Sequence, residues 1–173
     1  MTMKKSKKAK LNIIQQGELT NIRGERGEKI AYLALTDYAG GNKPLIRPAF
    51  LGEKWPTLDY YAELEGDGKQ TPVALFQVKT SGKGVNNAKK SLPVQLTKKD
   101  VERLALLPIP AYVIGVCEST WRVFVRAIAK GSKGMATIPA HYELTPTNLR
   151  ALHAEIAAHW KANTPKSPQS KFV

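Results

Sequence analysis

Residues 72–81, PVALFQVKTS, restrict the fold sharply: a run this apolar belongs in a core strand, yet it carries a glutamine and a lysine. Strand positions two apart share a face, so Gln77 and Lys79 would project side by side from an otherwise hydrophobic segment. The preceding run, TLDYYAELE, has strand character, and EGDGKQ supplies a turn, so the two should pair as an antiparallel hairpin. Alternation then puts Asp59 with Tyr61 and Glu63 on one face and Leu58, Tyr60, Ala62 and Leu64 on the other. If the polar faces meet, a carboxylate, an amide oxygen and an ammonium converge. Two oxygen ligands can hold Mg²⁺, which keeps several waters, while Lys79 orients an attacking water and offers positive charge to a phosphate. The competing reading is structural: Lys79 reaches solvent at the strand end and pairs with Asp59 or Glu63.

The rest of the chain frames this hairpin. The sequence predicts a helix within residues 20–38, then strands LIRPAFLG, TLDYYAELE and PVALFQVKTS, with Pro48 pushing the first toward a sheet edge. Thr97 caps a second helix with Val101, Leu104 and Ala105 on one face, and IPAYVIGVCE and WRVFVRAIA read as two more strands. Thr145 and Pro146 open a last helix, with Leu149, Leu152, Ile156 and Trp160 at helical spacing. The expected fold class is therefore α/β, in the order α-β-β-β-α-β-β-α, with a mixed central sheet of about five strands flanked by helices. Residues 18–162 form one domain, between a basic flexible arm at 1–17 and a flexible tail at 163–173.

Charge narrows the partner. Lys and Arg number 27 against 14 Asp and Glu, a net charge of +13, which makes nucleic acid the default ligand. No apolar run is long enough to span a membrane, and MTMKKSKKAKLNIIQQ has no signal-peptide pattern, so the expected location is the cytoplasm. The single cysteine, Cys117, excludes an intramolecular disulfide and reads as a core residue.

In GERGEKIA, Gly24, Gly27, Glu28 and Ala31 lie on one helix face. Each interior glycine costs a helix about 1 kcal/mol relative to alanine, so close approach of the backbone to a sheet or phosphate is the expected reason. Glu25, one turn away and expected to point elsewhere, is a rival to Glu28. Together, GERGEKIA, Asp59 on a strand and QVK on the next resemble the PD-(D/E)XK nuclease superfamily, with the restriction-endonuclease-like fold. The likeness is nearest to small bacterial domains of that superfamily, Mrr-like and Holliday-junction-resolvase-like proteins. By motif it spans Gly24 to Lys79, and by element order it reaches about Ala129.

The resemblance implies a Mg²⁺-dependent endonuclease, with Mn²⁺ a substitute, acting on nucleic acid, DNA ahead of RNA, in defence against foreign DNA or in repair. It implies that Glu28 supports the metal site directly or through water, that Asp59 and Gln77 bind the metal, that the Val78 carbonyl is a further ligand, and that Lys79 is the catalytic lysine. Two departures stand out: Pro56 lies three residues before Asp59 rather than next to it, and Gln77 replaces a carboxylate with a neutral amide. The alternative is a nucleic-acid-binding or assembly module on the same fold with a weakened metal site. A homodimer or a larger protein partner would supply specificity.

The loop TSGKGVNNAKKS places Thr80, Ser81, Lys83, Lys89 and Lys90 after Lys79, where they would contact phosphates. It lacks the P-loop pattern, so nucleotide hydrolysis has no support. His141, His153 and His159 have no metal-ligand spacing. Trp55, Trp121 and Trp160 are expected in the core rather than stacked on bases.

Overall fold

A computed structural model describes residues 13–52, 55, 57–66 and 71–163. Within these residues the chain is an α/β structure built on a mixed five-stranded sheet. Its elements are α1 (Ile13–Leu35), β1 (Ile46–Phe50), β2 (Tyr60–Leu64), β3 (Val73–Ser81), β4 (Ser91–Leu96), α2 (Lys98–Ala105), β5 (Ala111–Cys117), β6 (Val123–Ala127), β7 (Met135–Pro139) and α3 (Pro146–Ala162), with a short 3₁₀ turn at Ala140–Tyr142. The main sheet has the order β1-β2-β3-β5-β6, and β4 pairs with β7 as a separate two-stranded sheet. β1, β2 and β3 are successively antiparallel, β3 and β5 are parallel, and β6 returns antiparallel to β5. The parallel step needs a crossover, and β4 with α2 supplies it.

Two cores cover the two faces of the sheet. On one, Ile30, Ala31 and Leu35 of α1 and Leu149, Leu152 and Ile156 of α3 pack on Tyr60, Ala62, Phe76 and Val78. On the other, Leu92, Val94, Val101, Leu104 and Ile138 pack on Leu75 and Val113. Pro48 sits in the edge strand β1, as its missing N–H requires. Thr97 and Thr145 cap α2 and α3 by accepting from the Asp100 and Asn148 N–H groups, and Cys117 is fully buried.

The expected element order needs correcting. The expected order lacks β4 and β7, and each has a physical reason for escaping a sequence reading. SLPVQL carries Pro93, which demotes a strand in sequence terms, and MATIP is short. Their sheet lies against β5 at Gly115, where an added Cβ would come within 2.9 Å of Leu92 and Val94 side-chain atoms. The first helix also starts earlier than expected, at Ile13, inside the segment read as an arm. The rest of that arm, residues 1–12, and the tail from residue 164 lie outside the described residues.

Candidate metal and phosphate site

The site is made where β2 stops and β3 continues. The last paired residues are Tyr60 and Phe76, and one step further the Asp59 N–H donates to the Phe76 carbonyl (3.0 Å). Beyond that point β2 offers β3 no backbone. Instead, Asp59 turns its side chain inward, and Oδ2 accepts the Val78 N–H at 2.5 Å. N–H and C=O of one strand residue point to the same edge, so the Val78 carbonyl also faces the Asp59 side.

The turn that delivers Asp59 is strained. Thr57 has φ 82°, a left-handed conformation unfavourable for a β-branched residue. The Arg103 guanidinium holds it by donating to its hydroxyl at 2.8 Å. This turn breaks the strand alternation: Leu58 belongs with Leu75 and Tyr61 in the second core, not with Tyr60, Ala62 and Leu64 as expected.

Gln77 is buried, at 5% exposure, which makes it the most enclosed polar side chain of the site. The two ends of an amide are isosteric, so its orientation is assigned from hydrogen bonds. One orientation has Nε2 donating to Asp59 Oδ2 at 3.3 Å. Turned over, Nε2 donates to the Thr57 carbonyl at 2.6 Å and Oε1 accepts from Lys79 Nζ at 3.3 Å. The turned form is preferred, because it makes two bonds and keeps the amide oxygen off the Thr57 carbonyl. It also puts the amide oxygen beside Asp59 Oδ2, an arrangement of two oxygens that a cation satisfies. Burial raises the Asp59 carboxyl above its ordinary value of 3.8, against the Val78 hydrogen bond and the Lys79 charge, which lower it.

Asp59, Gln77, Val78 and Lys79 are thus brought together. Glu28 lies on α1, which covers the opposite face, and its link to the site is Tyr60: the tyrosine hydroxyl donates to the Glu28 carbonyl at 2.9 Å. Burial, with the charges of Glu28 and Asp59 both bearing on it, pushes that hydroxyl up to about 12. Glu28 lines a cavity of about 580 Å³ with Lys29, Tyr32, Phe50 and Tyr60, and Glu25 lines it too rather than pointing elsewhere.

Gly27 explains part of the glycine pattern. A Cβ there would fall 1.8 Å from Thr80 Oγ1, so only glycine lets α1 lie this close to β3. Gly24 has no such neighbour. Thr80 and Ser81 are therefore not loop residues: both belong to β3, Thr80 under the helix and Ser81 buried. Lys83, Lys89 and Lys90 are exposed in the loop that follows. With Gly82 and residues of β4 and β7, Thr80, Ser81 and Lys83 line a second cavity of about 560 Å³.

The donors are all hard oxygens, which suits Mg²⁺ or Mn²⁺ rather than a thiolate-seeking metal. Among the described residues, no three His, Cys, Asp or Glu side chains gather in metal-holding geometry. An ion here would rest on Asp59, the Gln77 amide and the Val78 carbonyl, a set that fits Mg²⁺ when substrate phosphates complete the shell. The histidines take other roles, His153 bonding the Glu65 carbonyl at 2.8 Å. Of the tryptophans only Trp160 is core-like, donating to the Val73 carbonyl at 2.7 Å, whereas Trp55 and Trp121 are exposed. No described helix is long and apolar enough to cross a membrane. Comparison of the chain with protein-family models, curated proteins and solved structures finds no match.

Proposed function

We propose that this chain is a metal-dependent nuclease with a restriction-endonuclease-like core, hydrolysing phosphodiester bonds in nucleic acid, DNA ahead of RNA. The observation that carries the reading is the Asp59 carboxylate seated on the Val78 N–H at the open strand edge, with the Gln77 amide beside it and Lys79 bonded to that amide. Asp59, Gln77 and the Val78 carbonyl would hold Mg²⁺ or Mn²⁺, with Glu28 acting through water. The ion would supply Lewis-acid stabilisation of the phosphate. Lys79 positions the attacking water and meets the negative charge that builds on the phosphate oxygens. Gln77 fixes Lys79 through its amide oxygen and the Thr57 turn through its nitrogen, so one buried side chain orients both the cation and the loop that carries Asp59. Lys83, Lys89 and Lys90 add phosphate contacts, and the net charge of +13 adds salt-sensitive affinity. Work in the cytoplasm, in defence or repair, is the cellular context this reading proposes.

The test is incubation with single-stranded, duplex and branched DNA and with RNA, in Mg²⁺, Mn²⁺ or EDTA. The expected result is cleavage that needs metal and disappears in Asp59→Ala and Lys79→Ala while binding remains. Tight binding without cleavage in any metal, unchanged by Lys79→Ala, would instead identify a binding module.

A further inference from the structure

The β5–β6 hairpin ends in an exposed tryptophan that packing does not explain. Trp121 is 58% exposed and sits at φ 59°, where a bulky side chain is disfavoured and glycine is the ordinary choice. Its N–H donates to the Cys117 carbonyl at 2.8 Å, and the Cys117 N–H donates to the Arg122 carbonyl at 2.9 Å, closing a tight loop of residues 118–121. A strained, solvent-facing aromatic is a feature for which function is the better explanation than stability.

Its surroundings are basic and lie at the end of the candidate site strand. The Arg26 guanidinium of α1 sits over the indole, 5.4 Å from the ring centroid. Arg23, one turn earlier, is held by Glu118 at 2.9 Å. The Glu118 N–H donates to the Ser81 carbonyl, which fixes the hairpin tip against the end of β3, with Glu118 near Gly82 and Ser119 near Gly84. From Gln77 to Ser81 the strand rises about 13 Å, a distance that a few nucleotides span.

We propose that Trp121 and Arg26 form a base-stacking platform for an unpaired nucleotide, so that the ligand is single-stranded nucleic acid or a frayed strand end running from Lys79 past Lys83 to the hairpin tip. An indole face takes any base, and the arginine charge holds the neighbouring phosphate. Paired bases hide their faces in the duplex, so the platform discriminates strandedness rather than sequence. This rests on the nucleic-acid reading above but not on cleavage.

The test is binding, in EDTA, of a labelled oligothymidylate, the matching oligouridylate and a blunt duplex of equal length to wild type and to Trp121→Gly. Glycine suits the left-handed backbone, so the variant should keep or raise Tm while single-strand affinity falls about tenfold and duplex affinity stays put. The two single-stranded arms show whether the sugar matters, and loss in either supports the platform. Unchanged single-strand affinity, an equal fall on the duplex, or a Tm lowered by several degrees would each overturn it. Because EDTA removes metal-dependent cleavage, a protein that never cuts nucleic acid can still pass this test, and one that cuts can still fail it.

Discussion

Strands β3 and β5 run parallel and paired from Leu75–Ala111 to Ser81–Cys117, yet they carry different chemistry. Every residue of β5 is buried, and the register sets Val113 beside Gln77 and Gly115 beside Lys79. The difference follows from their neighbours. β5 has β3 on one edge and β6 on the other for most of its length, whereas β3 loses β2 after Phe76. Polar side chains occupy β3 where its edge opens, and the Asp59 carboxylate takes the backbone donor that a continuing strand would have used. The candidate site is a place where the sheet stops being regular.

Erasing that difference at Lys79 should have the largest effect. On the proposed nuclease reading, Lys79→Ala, measured in single-turnover cleavage, should slow hydrolysis by about 100-fold or more, on the scale of a positioned proton-handling group. Retained cleavage would remove the lysine from the mechanism.

Gln77→Glu would exaggerate the contrast instead. A second carboxylate beside the buried Asp59 should cost about 1–3 kcal/mol in EDTA, since like charges in an enclosed site disfavour ionisation. If the site holds an ion as proposed, Mg²⁺ should then raise the variant's Tm more than the wild type's, because only the folded arrangement gathers the ligands. A Tm indifferent to Mg²⁺ in both proteins would argue against an ion at this edge.

Gly27→Ala probes the helix that covers the open end of β3. The new Cβ meets Thr80 Oγ1 at 1.8 Å and Thr80 Cβ at 2.9 Å, so urea denaturation should show a loss of about 1–2 kcal/mol despite alanine's better helix propensity. Adding Thr80→Ala should recover part of the loss, whereas strict additivity would deny the contact.

The smallest effect should come with the opposite sign. Burial holds the folded-state carboxyl of Asp59 above 3.8, so folding takes up a proton between that value and the raised one. Wild type therefore gains stability as pH falls through this window and loses it as pH rises through the folded value. Asp59→Asn should be slightly more stable than wild type at neutral pH, with the advantage shrinking in acid. A Tm difference independent of pH would contradict the burial argument.

Much of this was legible in the chain. Threonine caps, the Pro48 edge strand and the 77/79 pairing depend on local chemistry, so single residues reveal them. The hairpin brought Asp59 near Gln77, but its seat on the Val78 N–H came from the Thr57 turn rather than from a period of two. What stayed hidden depends on contacts between distant segments or on single backbone angles. Alternation cannot reveal that Thr57 adopts φ 82° and sends Leu58 to the other face. Nor can a local pattern show that SLPVQL finds its partner in MATIP, or that Gly27 faces Thr80. Trp121 had a readable signal, a tryptophan in a hairpin turn after EST, but hydrophobicity alone sends it to the core.

The β4–β7 pairing also has a kinetic consequence. Ser91 and Pro139 are partners far apart in sequence, so the second core cannot close until the intervening chain has folded back, and such long-range contacts form slowly. Leu58, next to Asp59, is buried in that core. The corner that carries Asp59 should therefore be among the last parts to set during refolding and the first to open in the native state. Native-state hydrogen exchange can decide this: amides of β4 and β7 should exchange ahead of those between β3 and β5, and the reverse order would place the site in the early nucleus.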